Sequence, residues 1–182
     1  MKGKEGFTLI EIVLVIVIIA VLAGILIEPF RLGMQSYVGI ETRADLTAQA
    51  REATTRMVRE LRNIQKKANN TPNIWCSSPD APKGSQIRFV DVQDNDIKFK
   101  ATGPQLKREE INTSANNILA DKVSSFQFRY FNGSNAELTP SPALTAAQCD
   151  DVRRILVIMA MNEGTETVTM TGQAFLRDLR GL

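Results

Sequence analysis

The sequence contains no histidine, and this absence excludes several kinds of catalytic site. A serine or cysteine nucleophile activated by imidazole needs a histidine base, so a triad of that type is excluded. The chain also carries neither a Walker-type phosphate loop nor the glycine fingerprint of a Rossmann fold. We therefore expect no catalytic residues, no cofactor, and a protein that is not an enzyme.

Cysteine is almost as scarce, with only Cys76 and Cys149 among 182 residues. Two sulfur atoms without histidine do not complete a zinc shell, so we expect no such metal site. In an exported domain, two cysteines favour one disulfide bond, with two free buried thiols as the alternative. In the ideal case, closing so long a loop stabilises the fold by about 4–5 kcal/mol.

Neither sign of charge is in excess, because 22 basic residues face 20 acidic ones and the net charge is +2. A nearly neutral chain has no global attraction for nucleic acid, and we do not expect it to bind nucleic acid. One basic run invites a nucleic-acid or anionic-lipid alternative, but acidic residues are interleaved and no aromatic side chains accompany it. The run consists of Arg51, Arg56, Arg59, Arg62, Lys66 and Lys67. We favour a role for these residues in salt bridges between subunits.

The sequence does contain one long apolar run near its start. From Phe7 to Ile27, only Thr8 and Glu11 are polar, and about 20 apolar residues are enough to cross a bilayer. The run is too long for the core of a general secretory signal, and no A-x-A site ends it. Two lysines in the short leader place the N-terminus in the cytoplasm. We therefore expect a single-pass inner-membrane protein whose remaining residues lie in the periplasm.

Glu11 is the only carboxylate within this run. A charged side chain at membrane depth costs about 2.5–3.5 kcal/mol on insertion scales and usually has a partner. Cleavage at the small-residue junction Gly6–Phe7 would keep the apolar helix and create an α-ammonium. The ammonium of a neighbouring subunit could then pair with Glu11. The alternative is a glutamate near enough to the interface for its side chain to reach water.

From Gly6 to Glu11 and through the apolar residues that follow, the chain resembles the type IV prepilin-like proteins. These comprise pilins, minor pilins and type II secretion pseudopilins. The resemblance implies that a prepilin peptidase cuts between Gly6 and Phe7 and that the new Phe7 amine is methylated. It also implies that Glu11 guides assembly with other pilin or pseudopilin subunits at an inner-membrane assembly platform, and that the protein can enter an extracellular pilus.

Beyond Pro29, where we expect a bend or a melted turn, apolar residues return at helical spacing. They form one stripe consisting of Leu46, Ala50, Ala53, Met57, Leu61 and Ile64. Asparagine and proline near residues 68–72 indicate the end of this helix. The sequence thus predicts a leader at 1–6, a transmembrane helix at 7–28, an amphipathic continuation at 29–69, and a periplasmic or extracellular β-rich head at 70–182.

Short segments of alternating polarity predict the strands of the head. A hairpin is expected from Ile87–Val92 and Ile97–Lys100, and Phe126–Phe131 should end at the Asn132-Gly133 turn. The remaining assignments are an irregular segment at 137–148, strands at 152–161 and 166–170, and a strand or short helix at 173–179. The predicted fold class is α+β, with the long N-terminal helix packed on an antiparallel sheet as in pilins.

Oxygen-rich side chains lie between the two strands of the predicted hairpin. Asp91, Asp94, Asn95 and Asp96 could hold calcium in such a loop, but the EF-hand pattern lacks its glycine and its final glutamate. We favour a solvated turn without a metal.

The C-terminal tail, from Val168 to Asp178, and the helix Ala50–Asn63 are similar in composition to the MshO-like minor pilins of the mannose-sensitive haemagglutinin (MSHA) pilus. The tail is also similar to that of the J-type minor pseudopilins. We therefore predict a minor pilin that joins or helps to initiate a type IV pilus. The alternatives are a minor pseudopilin of a type II secretion system and a membrane-anchored binding module without a filament.

Overall fold

A computed structural model describes residues 8–176, and these contain two helices and two four-stranded antiparallel sheets. The chain divides into two compact units, Met1–Thr42 (the N-terminal unit) and Arg43–Leu182 (the globular unit). The predicted α+β fold class, with a long N-terminal helix and antiparallel sheets, is confirmed. The elements are α1 Leu9–Arg62, β1 Gln86–Val90, β2 Asp96–Thr102, β3 Gln105–Glu110, β4 Ala115–Ala120, β5 Val123–Phe131, β6 Glu137–Leu138, α2 Ala146–Asp151, β7 Arg154–Glu163 and β8 Glu166–Phe175.

In the N-terminal unit, helix α1 begins with backbone hydrogen bonds to the carbonyl of Thr8. The amides of Glu11 and Ile12 donate to it at 3.1 and 3.3 Å. The helix then continues without interruption through Pro29, so the melted turn considered at this proline is not formed.

In the globular unit, α1 presents the predicted apolar stripe to the core. Leu46, Ala50, Ala53, Met57 and Leu61 are at most 1% exposed. Because these residues recur every three or four positions, they share one face of the helix, and their burial holds that face against the sheets.

The end of α1 differs from the prediction, because the helix stops at Arg62 and does not continue to residue 69. After Arg62 the chain follows strand β1: the amide of Gln65 donates to Val90 O at 2.9 Å, and the amide of Val92 donates to Asn63 O at 3.0 Å. Ile64, assigned to the helical stripe, is buried in an isolated bridge with Asp91. Pairing with a strand more than twenty residues away replaces the last two predicted turns of helix.

The first sheet has the strand order β1-β2-β3-β4. The predicted hairpin is present as β1 and β2, with Ile87 opposite Phe99. The sequence did not predict strands β3 and β4. Their sequences, QLKREE and ANNILA, are charged or amide-rich and contain few of the β-branched residues that are typical of strands.

The second sheet has the order β6-β5-β7-β8. Residues 166–175 form one strand, paired with β7 from Glu163 opposite Glu166 to Arg154 opposite Phe175. The strand predicted from residue 173 is therefore confirmed as far as Phe175, but it is continuous with the strand predicted at 166–170. Residues 177–179 lie outside the described residues. The two sheets are joined by Tyr130, whose hydroxyl donates to the carbonyls of Lys83 and Gln86 at 2.8 and 3.1 Å.

Helix α2 begins at Ala146, within the segment 137–148 that the sequence predicted to be irregular, and ends at Asp151. Thr145 caps it by accepting a hydrogen bond from the amide of Gln148 at 3.3 Å, while the Gln148 side chain accepts from the Thr145 amide at 2.9 Å. This is a capping box of the T-x-x-Q type, so the sequence did contain a signal for the helix.

Candidate functional site: the N-terminal helix and its carboxylate

The apolar run of α1 forms an exposed surface in the N-terminal unit. Leu9 is 81% exposed and Ile27 68%, and none of the most apolar 18-residue window is buried within the chain. Within the described residues, α1 is the one helix long and apolar enough to cross a membrane. An apolar surface this large marks a membrane or protein contact, since soluble monomers rarely expose one.

Glu11 lies in the first turn of α1 with its side chain exposed. Its backbone amide is bonded to Thr8 O, but no group in the described part of the chain donates a hydrogen bond to its carboxylate. A negative charge is favoured at a helix N-terminus because the amides there are unpaired. The Glu11 carboxylate is thus available to accept a charge-assisted hydrogen bond from a partner.

The other predicted processing residues, Gly6 and Phe7, lie outside the described residues. Cleavage between them and methylation of Phe7 therefore stay predictions.

A second exposed apolar surface follows Pro29 in the N-terminal unit. Pro29, Phe30, Gly33, Met34, Tyr37 and Val38 line an open groove of about 330 Å³. Phe30 and Tyr37 are 75% and 72% exposed. Aromatic side chains of this kind are frequent at the centre of protein interfaces, so the groove extends the contact surface beyond the membrane-spanning length of α1.

The globular unit contains the predicted disulfide between Cys76 and Cys149, whose Cα atoms are 6.3 Å apart. Cys149 is fully buried on α2, and Cys76 lies in the segment between α1 and β1. Beside it, Lys67 Nζ lies 3.3 Å from Asp150 Oδ1. The disulfide and this ion pair fasten α2 to the segment that follows α1.

A compact charge network surrounds Arg88 on β1. Its guanidinium bonds both Asp80 and Asp96, with 2.6 Å to Asp96 Oδ2, and Lys98 Nζ donates to Asp80 Oδ1 at 2.8 Å. The hydrogen bond to Asp96, opposed by burial and reinforced by Asp80, raises the pKa of Arg88. The hydrogen bond from Lys98, opposed by burial and reinforced by Arg88, lowers the pKa of Asp80. Both charges are therefore fixed at neutral pH.

The oxygen-rich hairpin loop is held together by its own hydrogen bonds. Asp91 Oδ1 accepts from the amides of Gln93 and Asn95 at 2.8 and 2.9 Å. Asp94 accepts from the Gln65 side chain at 2.7 Å, and Asp96 is bonded to Arg88. In residues 8–176, no three acidic or cysteine side chains are grouped closely enough to hold a metal ion.

The predicted basic run does not act as one group. Arg56 pairs within the chain with Glu60 at 3.1 Å, and Lys67 pairs with Asp150. Arg56 and Lys67 thus have partners within the chain, and the expected pairing of the run between subunits stays a prediction. Arg51, Arg59 and Arg62 lie along a different surface, beside β8.

Residues 1–27 match the family model described as the prokaryotic N-terminal methylation motif. A search of curated proteins found no match to the chain. The matched segment includes the Gly6–Phe7 junction, Glu11 and the exposed apolar start of α1. This match supports a type IV prepilin-like protein, that is, a precursor of a pilin or pseudopilin. The motif implies processing by a prepilin peptidase and association with other pilins, and the apolar helix is consistent with a membrane anchor.

Proposed function

We propose that this chain is a minor pilin, made as a prepilin, that joins or helps to initiate a type IV pilus. The observation that carries the proposal is the surface of α1 from Leu9 to Ile27. It is apolar, exposed along its length, and interrupted only by the Glu11 carboxylate. Packing against similar helices would bury this surface in a filament, as lipid does in the membrane. The role is structural, and no catalysis is needed for it.

Processing creates the positively charged partner of the Glu11 carboxylate. The helix spans the inner membrane with its N-terminus in the cytoplasm and the globular unit in the periplasm. Cleavage between Gly6 and Phe7 removes the leader and frees the Phe7 amine, which is then methylated and remains positively charged. When the assembly platform adds the subunit to the filament, the Phe7 ammonium of one subunit pairs with Glu11 of another, because an unpaired charge in an apolar surrounding is costly.

Intact-mass measurement of the chain extracted from membranes tests the processing step. We expect a chain that begins at Phe7 and carries one additional methyl group. Replacing Gly6 with leucine should leave the chain unprocessed, because a bulky residue then occupies the cleavage junction. Recovery of a chain that still begins at Met1 from cells with an active peptidase would contradict the proposal.

The composition of the tail, with the Val168–Met170 segment on β8, favours a minor pilin of the MSHA type over a major subunit. A type II secretion pseudopilin would carry the same helix and the same motif. Identification of the subunits that co-purify with the chain in sheared filaments distinguishes the two. A membrane-anchored binding module without a filament would be recovered only in the membrane fraction.

A further inference from the structure

A groove of about 500 Å³ lies between the last turns of α1 and strand β8. Every residue that lines it belongs to the globular unit, and the proposed membrane and filament contacts of α1 do not use it. Arg51, Arg59 and Arg62 line it from the helix, and Met170 to Gln173 line it from the strand.

The groove has a positive charge that nothing within it balances. The three arginines are exposed, and no carboxylate lines the groove in the part of the chain that the structure describes. Arg62 donates to Gln173 O at 3.4 Å, while Arg51 and Arg59 have no acidic partner among residues 8–176. Elsewhere on the same helix Arg56 is paired with Glu60. A ligand that complements this groove must therefore carry negative charge.

The strand side of the groove has backbone groups that no other described strand pairs with, and of these Gln173 O accepts a hydrogen bond from Arg62. β8 is the last strand in the order β6-β5-β7-β8, so one side of its backbone lies outside the described ladder. No residue of β7 lines the groove, which places it on the open side of β8. An exposed strand edge binds an extended peptide by adding it as a further strand.

Gly172 lets the helix and the strand approach closely at this point. A Cβ atom built there would lie 2.5 Å from Thr54 Cγ2 and 2.8 Å from Val58 Cγ2. The close approach brings the arginine-bearing face of α1 alongside the edge of β8, so that one ligand can reach both.

We propose that this groove binds an extended polypeptide segment with acidic side chains, which adds to β8 as a strand and pairs with Arg51 and Arg59. Eleven helical steps separate Arg51 from Arg62, or about 16 Å, and five extended residues cover about 17 Å. Carboxylates at alternate positions of such a segment share one face and can all point to α1. A second copy that applied the same face would place arginine against arginine. The proposal does not depend on the chain being a filament subunit.

Peptide binding to the full chain in detergent micelles tests this. The probe is a fluorescently labelled peptide, Thr-Glu-Val-Glu-Val-Glu-Thr, compared with versions in which glutamine or lysine replaces every glutamate. We expect the glutamate peptide to bind at least about tenfold more tightly than the glutamine peptide, since charge-assisted hydrogen bonds are the stronger ones. The lysine peptide should not bind. Amide hydrogen exchange should slow at residues 169–173 and stay unchanged in β1 and β4.

Variants of the helix provide the matched comparison. Arg59→Glu should weaken binding at least about tenfold, and the double variant Arg51→Glu/Arg59→Glu should abolish it. Arg43→Glu, on the same helix but outside the groove, should leave binding unchanged. If the double variant fails to fold, Arg51→Gln/Arg59→Gln serves in its place, with circular dichroism as the check.

Several outcomes would overturn the proposal. These are absence of binding by the glutamate peptide, equal binding of the glutamine peptide, and binding that the arginine variants leave intact. Protection of β1 or β4 in place of β8 would also overturn it. If the chain instead associates with itself and Arg59→Glu abolishes this, the occupant is a second copy and the acidic-segment proposal is wrong.

Discussion

Glu60 on α1 and Arg108 on β3 form the ion pair that joins the helix to the first sheet. Arg108 Nε donates to both oxygens of the Glu60 carboxylate, at 2.8 and 3.1 Å, and the side chains are only 10% and 14% exposed. Arg108 also bonds Glu110 at 3.0 Å. Burial opposes the charge on Arg108, but the hydrogen bonds that it donates to Glu60 and Glu110 outweigh this effect and raise the pKa of Arg108.

Replacing Glu60 with glutamine should therefore destabilise the globular unit by about 2–3 kcal/mol. Removing one partner of a buried pair leaves the other charge uncompensated, which usually costs about 3–5 kcal/mol. The expected loss is smaller here because Glu110 still pairs with Arg108. Urea unfolding of the full chain in detergent, followed by the fluorescence of Trp75, measures the effect.

Arg56→Ala is the control for this change. Arg56 pairs with the same carboxylate, but its side chain is 39% exposed, so its loss should cost less than about 1 kcal/mol. If Glu60→Gln and Arg56→Ala destabilised the chain equally, the buried pair would not be what joins α1 to β3.

The contact between Gly172 and α1 gives a second prediction. Gly172→Ala should destabilise the globular unit by about 1–3 kcal/mol, because the added methyl group collides with Thr54 and Val58. Thermal unfolding measures this, and adding Thr54→Ser, which removes one colliding methyl, should restore part of the loss.

Gly133→Ala is the matched control, since a Cβ there would lie 3.7 Å from the Arg153 side chain, an ordinary contact. It should change the unfolding temperature little. A neutral Gly172→Ala variant would show that α1 and β8 separate readily, which would also weaken the case for the groove.

Local patterns in the sequence were sufficient for part of this fold. The stripe from Leu46 to Leu61 and the β1–β2 hairpin follow from spacings within a few residues, and both are present. The apolar run and its glutamate are equally local, and a family model matches them. The disulfide could be predicted because the chain has only two cysteines, which allow a single pairing.

The features that the sequence did not predict depend on contacts between residues that are far apart in the sequence. Strand β3 is stabilised by β2 and by Glu60, 48 residues before Arg108, so its charged sequence gives no strand signal. The helix ends at Arg62 because the next residues bond to Val90 and Val92. The groove beside β8 exists only once the final strand lies against α1. The capping box at Thr145, by contrast, is a local sequence signal for α2.

The disulfide should contribute substantially to the stability of the globular unit. The two cysteines are separated by 73 residues, and restricting a loop of that length in the unfolded chain is worth about 4 kcal/mol in the entropic account. Cys76→Ala/Cys149→Ala should lower the free energy of unfolding by up to that amount. A reductant should destabilise the wild-type chain and leave the double variant unaffected. Equal sensitivity of both to the reductant would show that the effect lies elsewhere.

The lowered pKa of Asp80 predicts a loss of stability in acid. Because its folded-state pKa lies below the unfolded value of about 3.9, the contribution of Asp80 is fully present above that pH. It is lost as the pH falls through the folded-state pKa. Asp80→Asn should cost about 2 kcal/mol at pH 7, since hydrogen bonds to charged groups are the stronger ones. The difference from wild type should shrink as the pH falls from about 4 towards 2.

Unfolding in urea across this pH range tests the Asp80 prediction. Asp151→Asn, at an exposed residue without a salt bridge in the described chain, is the control and should show a small and constant difference. A difference for Asp80→Asn that stays constant with pH would contradict the role assigned to its charge.

Substitutions of Glu11 should affect membrane insertion and filament assembly differently. Glu11→Leu should insert at least as well as the wild type, because it removes a charge that costs about 2.5–3.5 kcal/mol at membrane depth. Its share in sheared filaments should nevertheless fall at least about tenfold, which corresponds to only 1.4 kcal/mol of lost pairing. Glu11→Gln, which keeps the shape and removes the charge, should assemble as poorly as leucine if pairing with an ammonium is the requirement. Normal recovery of Glu11→Gln in filaments, with normal processing, would show that the side chain is needed for its shape or polarity and that no charge pair forms.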